Sequence, residues 1–161
     1  MTDHYPRLFE SDAAIRRLGE GLLACTLPRA DWTHEAHLAA TTYLLTRRPD
    51  IDLDKRLPDI IRRYNASVGG VNDDTQGYHE TITRMFLHGV RLFLRDADPD
   101  APLHVLVNKL LRSPQGRRDW PLRFYSAERL FSVEARRHFV PADLESLPSI
   151  EPAPAARSQA P

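Results

Sequence analysis

The chain has 161 residues, 42% of them hydrophobic and 8% aromatic, with 22 Lys plus Arg against 22 Asp plus Glu; this predicts one globular domain that can bury its own core without a disulfide or structural metal. A formal net charge of zero removes the domain-wide attraction that nucleic-acid binding depends on, and the arginine pairs are scattered among acids, so no nucleic-acid partner is expected. A single cysteine, no run approaching ~20 apolar residues and no apolar leader at the first residues predict a cytoplasmic protein without a membrane partner.

Ile15, Leu18, Leu22 and Cys25 recur at helical spacing behind Ser11 or Asp12, either of which can cap the helix. The stripe places Cys25 as a buried core thiol, and Pro28 ends the helix. Thr33 or Asp31 then caps a second helix that starts at or next to His34 and closes by Pro49. With Thr33 as cap, Trp32 and His37 stand where a hydrophobic staple packs one side chain on the other. A third pattern runs from Ile51 to Ser67 with Leu53, Leu57, Ile60, Ile61 and Tyr64 inward; Pro58 either starts or kinks it, and Gly69-Gly70 stops it.

Residues 71–77 read as a loop, with Asn65 and Asn72 serving helix end and turn. The longest helix is predicted from Tyr78 to Arg95, turning Ile82, Phe86, Val90 and Phe93 inward and extending that stripe back to His79. Asp100 is placed to cap a helix carrying Leu103, Leu106, Val107, Leu110 and Leu111. From Trp120 to Pro141 one or two short helices follow, with Ser126 and Ser132 as caps. No repeat and no run of alternating strand residues occurs. The fold class is therefore all-α: a compact single-domain bundle of about five main helices over 1–147, with short helical additions near its end. A Pro/Ala-rich stretch over 148–161 is expected to be a disordered tail.

Among the seven histidines, position matters more than number. His34 and His37 are three apart on one helix, a rise of ~4.5 Å, and share a face. His79, at the start of another helix, can supply a third nitrogen if the two helix beginnings meet. Three imidazoles leave coordination positions open for water or substrate, and an all-nitrogen set suits Zn, Fe, Ni or Cu. The positive end of each helix keeps His34 and His79 neutral, the metal-binding form, but the same field favours an anion there. Glu80 and Glu35 each follow a candidate ligand and can act as general base through water; the competing reading is that of ordinary first-turn acids. Tyr78 and Tyr125 are candidate donors to a substrate oxygen, Thr83 a lining residue, and Cys25, His88, His104 and His138 structural or surface groups. No nucleotide-binding glycine loop, serine-hydrolase or zinc-protease motif is present.

The segments Trp32-Thr33-His34-Glu35-Ala36-His37 and Gly77-Tyr78-His79-Glu80-Thr81-Ile82-Thr83, with Tyr64-Asn65, resemble a small all-helical bacterial family of unassigned function, over about residues 27 to 147. More loosely, the chain is similar to DinB-like bundles, a resemblance that implies a metal held by three histidines on different helices. In those proteins the paired histidines stand four apart near the end of the fold, whereas here they are three apart and come early. The expectation is thus a small metal-dependent enzyme, performing hydrolysis, transfer or oxygen chemistry on a small polar substrate at a divalent metal held by His34, His37 and His79. Two alternatives stand beside it: a metal-free histidine site for an anionic small molecule, and a non-catalytic helical module for a protein partner.

Overall fold

The computed structural model describes residues 5–150; His4 and most of the tail expected from 148 onward lie outside the described residues. Helix α1 (Asp12–Ala24) is capped by Ser11, whose Oγ accepts the Ala14 N–H at 3.2 Å, and buries Ile15, Leu18 and Leu22. It ends at Cys25, a non-glycine residue at φ 57°. That left-handed turn swings Cys25 off the buried stripe, so its side chain is half-buried and not a core thiol as its spacing predicts. Helix α2 (His34–Arg47) starts behind Thr33, whose Oγ1 accepts the Ala36 N–H at 3.1 Å. Gly19 lets α1 approach α2 closely, because a Cβ there would overlap the ring of Tyr43.

Helix α3 (Leu53–Ser67), capped by Asp52, continues through a buried Pro58. Of the two expectations for Pro58, a helix start is overturned: it is the sixth residue of α3, where it has no N–H to offer the Asp54 carbonyl. Helix α4 (Glu80–Arg95) begins later than its periodicity predicts, with His79 as its N-cap and Tyr78 in the preceding loop. Met85, Leu87, Val90 and Leu92 are buried, while Ile82, Phe86 and Phe93 are only partly so. Helix α5 (Leu103–Arg112) starts after Pro102 with no cap from Asp100. Instead the Asp12 carboxylate of α1 accepts the His104 N–H at 2.8 Å and contacts the His104 ring, which ties the two helix beginnings together. Short 3-10 turns at Pro114–Gly116 and Trp120–Arg123 lead to α6 (Ala127–Leu130) and α7 (Val133–Arg137), capped by Ser126 and Ser132 as expected.

The described residues are all-helical, with five main helices and no strand. Their apolar side chains form two clusters. The larger draws on α1 to α5; the smaller packs Met85 and Leu92 of α4 against Trp120, Phe124, Tyr125, Leu130 and Val140, with Phe86 touching both. Gly89 admits Trp120 against the α4 backbone. Tyr125 is fully buried in the smaller cluster and its hydroxyl donates to the Val140 carbonyl at 2.7 Å. Thr81 fastens the same strap, donating to the His138 carbonyl at 2.8 Å. Among the described residues no helix is long and apolar enough to cross a membrane.

Candidate functional site

The beginnings of α2 and α4 do meet, and between them, α3 and the 70–79 loop lies a cavity of about 650 Å³ lined by His34, His37 and His79 together. This is a volume suited to a small organic ligand. The loop that closes one side is shaped by Asn72. Its Oδ1 accepts from Asn65 Nδ2 and from the Tyr78 N–H, each at 3.0 Å, while its Nδ2 donates to the Arg62 carbonyl at 3.1 Å. Gly77, at φ 80°, passes so close to Val71 and Asn72 that a Cβ has no room. Gly77→Ala combines a left-handed backbone with that overlap and is expected to cost about 1–3 kcal/mol, read as a lower midpoint in urea unfolding; an unchanged midpoint would remove this account of the loop.

His37 stacks on Trp32, with ring centroids 3.8 Å apart and planes 28° from parallel, which is the staple that Thr33 as cap predicts. Burial, with His34 close by, pushes the His37 imidazole down to about 3, so it is neutral across the physiological range. Protein surrounds the ring, yet an edge of it remains open to the cavity, and its nitrogens make no hydrogen bond to any described residue. The indole Nε1–H of Trp32 is a second polar group without a partner, fully covered within the wall.

The other two rings are differently placed. His34 Nε2 is 2.8 Å from the Gly116 carbonyl, to which it donates. At His79 the Nδ1 accepts the Ile82 N–H at 3.1 Å and caps α4, while Nε2–H donates to the Leu130 carbonyl at 2.9 Å. Both His79 nitrogens are thereby engaged by backbone, and burial holds its pKa below the usual imidazole range. His79 is an architectural residue that joins α4 to α6. Among the described residues no three His, Cys, Asp or Glu side chains are arranged to hold a metal ion. The expected set of His34, His37 and His79 thus surrounds one cavity without forming one coordination centre, and the site does not fit a metal held by three nitrogens.

The candidate acid–base residues are also dispersed. Glu80 accepts from Arg84 Nε at 2.6 Å and from the Tyr78 hydroxyl at 3.0 Å, which makes it the centre of a small ion network. It does not line the cavity. Tyr78 does line it, but its hydroxyl is committed to Glu80, and burial raises the phenol well above its usual range. Glu35 is buried and turned to the other side of α2, where it borders a smaller cavity of about 240 Å³ with Arg117 and Arg118. Burial alone would raise its pKa, but its own backbone N–H and Arg118, 3.9 Å away, bring it below the usual carboxylate range. Tyr125, bonded to Val140, faces neither cavity. Thr83 lines the larger one, as expected.

Tyr64, inward as its spacing predicts, is fully buried and donates to the Leu27 carbonyl at 3.1 Å. Two cavity features escape a reading by periodicity. Arg136 of α7 reaches back to the Gly77 and Tyr78 carbonyls at 3.0 and 3.3 Å. Arg29 belongs to the turn before α2 and is exposed at the rim. Among the described residues the titratable lining thus consists of two arginines, three histidines and two tyrosines, with no carboxylate. No family model, curated protein or solved structure matches the chain.

Proposed function

We propose that the protein binds a small anionic molecule in the cavity between α2, α3 and α4, at a metal-free site centred on His37. The observation that carries this reading is the His37 ring: half-buried, neutral and facing a cavity, with no hydrogen-bond partner for either nitrogen among the described residues. A ring edge turned into a cavity and not spent on protein leaves a hydrogen-bonding position that a ligand can take up. A neutral imidazole offers one N–H donor and one acceptor. Its surroundings select the sign of the ligand, because among the described residues Arg29 and Arg136 are the only formally charged lining groups and a cation would gain no counter-ion from them. The same surroundings argue against a divalent metal. A pKa near 3 makes unliganded His37 a weak base at neutral pH, which favours a binding role over proton abstraction.

The test is binding of benzoate and inorganic phosphate to tag-free protein, followed through backbone amide resonances. At least one is expected to shift the amides of Thr41, Gly77 and Thr83, and His37→Phe, which preserves the stack on Trp32, is expected to weaken binding by about tenfold, the value of one charge-assisted hydrogen bond. Neither anion shifting a cavity amide would overturn the reading. Stoichiometric metal in tag-free protein, lost in both His37→Ala and His79→Ala, would replace it with the metal-centred one.

A further inference from the structure

Resting on that anionic reading, the geometry points to an amphipathic ligand, an aryl carboxylate, whose charged group is read by Arg136 and whose ring lies among the aromatic and branched aliphatic walls. The first observation is the state of Arg136. Its neighbour Arg137 is paired bidentately with Asp74, and Arg48, Arg84, Arg91 and Arg117 also have carboxylate partners. Arg136 is half-buried, yet makes no ion pair with any described residue; Asp74, already taken by Arg137, is the acid that acts on it through space. A guanidinium withdrawn from water without a counter-ion is electrostatically incomplete.

The second observation is how Arg136 is held. Its Nη1 donates to the carbonyls of both Gly77 and Tyr78, which fixes the plane of the group at the cavity wall and leaves Nε and Nη2 without an acceptor among the described residues. A fixed planar fork with two remaining donor nitrogens matches the two oxygens of a carboxylate. Phosphate or acetate would satisfy that charge but leave most of a 650 Å³ space unfilled. The rest of the wall is built for apolar contact: Trp32 and Phe86 present rings, with Tyr64 backing Trp32 from the core, and Ile82 presents a branched chain. Flat apolar bodies gain most from such walls. Arg136 is on this account a specificity-determining residue.

The experiment compares 1-naphthoate with three relatives that each change one property: naphthalene-1-methanol without the charge, 1-naphthylmethylammonium with the opposite charge, and acetate without the rings. Dissociation constants are measured by amide shifts for the wild-type chain, Arg136→Gln and Arg136→Lys. In the wild type, naphthoate is expected to bind about tenfold tighter than the alcohol and more than tenfold tighter than acetate, with the ammonium weakest. Arg136→Gln should bring naphthoate and alcohol to within about threefold while the alcohol's own affinity is kept, and Arg136→Lys should restore part of the preference. Retention of alcohol binding at the cavity amides certifies that the variant is folded.

The outcomes separate the two levels of the argument. If no probe of any charge shifts a cavity amide, the site itself is refuted. If acetate binds as tightly as naphthoate, or if Arg136→Gln leaves the carboxylate preference intact, the aryl carboxylate assignment fails while an anion site at His37 survives.

Discussion

Acidification from pH 7 to 4.5 is expected to remove about 2–3 kcal/mol of folding stability through His37 alone. The sign follows from the direction of its shift. The unfolded imidazole titrates near 6.5, while burial brings the folded one to about 3, so between those values the unfolded chain binds the extra proton and stability rises with pH. The contribution is fully present above 6.5 and is lost progressively as pH falls toward 3. His79, also shifted down by burial, acts in the same direction. Carboxylates such as Asp12, Glu20 and Asp54, held below their usual range by their hydrogen-bond partners, begin to lose their contribution only as pH falls below about 5. Urea unfolding at pH 7, 5.5 and 4.5 therefore isolates His37 when the wild type is compared with a His37 variant, because the carboxylates are common to both. His37→Phe keeps an aromatic ring against Trp32 and is expected to flatten the decline between 6.5 and 4.5 by about 1 kcal/mol or more per pH unit; equal slopes in the two proteins would mean that His37 is not held neutral in the folded state.

What the sequence makes legible here is local. Thr33, Ser126 and Ser132 act as caps because a short side-chain oxygen behind a helix start has few other uses. The Trp32–His37 stack follows from the same logic, since fixing the cap fixes which residues stand at either end of the first turn. That two helix starts meet around a histidine-lined cavity is a tertiary fact, which spacing raises only as a condition for His79 to join His34 and His37. Periodicity fails at His79, because an imidazole accepting at an N-cap and a residue continuing an apolar stripe occupy the same position in the pattern; the His79–Leu130 bond that separates them spans 51 residues. The same holds for Arg136, whose contacts with Gly77 and Tyr78 are long-range, and for Glu80, whose partner Tyr78 lies outside the helix that was predicted to contain both. The lining is thus assembled from recognisable local pieces, but which nitrogen is spent on backbone and which is left to the cavity depends on tertiary packing.

That distinction makes His79 the most informative single position in the chain. His79→Ala removes the cap on α4, worth about 1 kcal/mol, and leaves the buried Leu130 carbonyl without its donor, worth about 1–3 kcal/mol more. A combined loss of about 2–4 kcal/mol is expected in urea unfolding, with faster amide exchange over 130–137, where α6 and α7 lose their tie to α4. His79→Asn can still accept the Ile82 N–H at the cap but is too short to serve Leu130 as well, and should recover about 1 kcal/mol. Arg136 and the Asp74–Arg137 pair continue to hold α7 in both variants, so the chain remains folded and the two contributions can be read separately. A loss below about 1 kcal/mol in the alanine variant would show that neither backbone bond commits the ring. His79 would then have nitrogens to spare for a ligand, and a shared centre with His34 and His37 would again be chemically open.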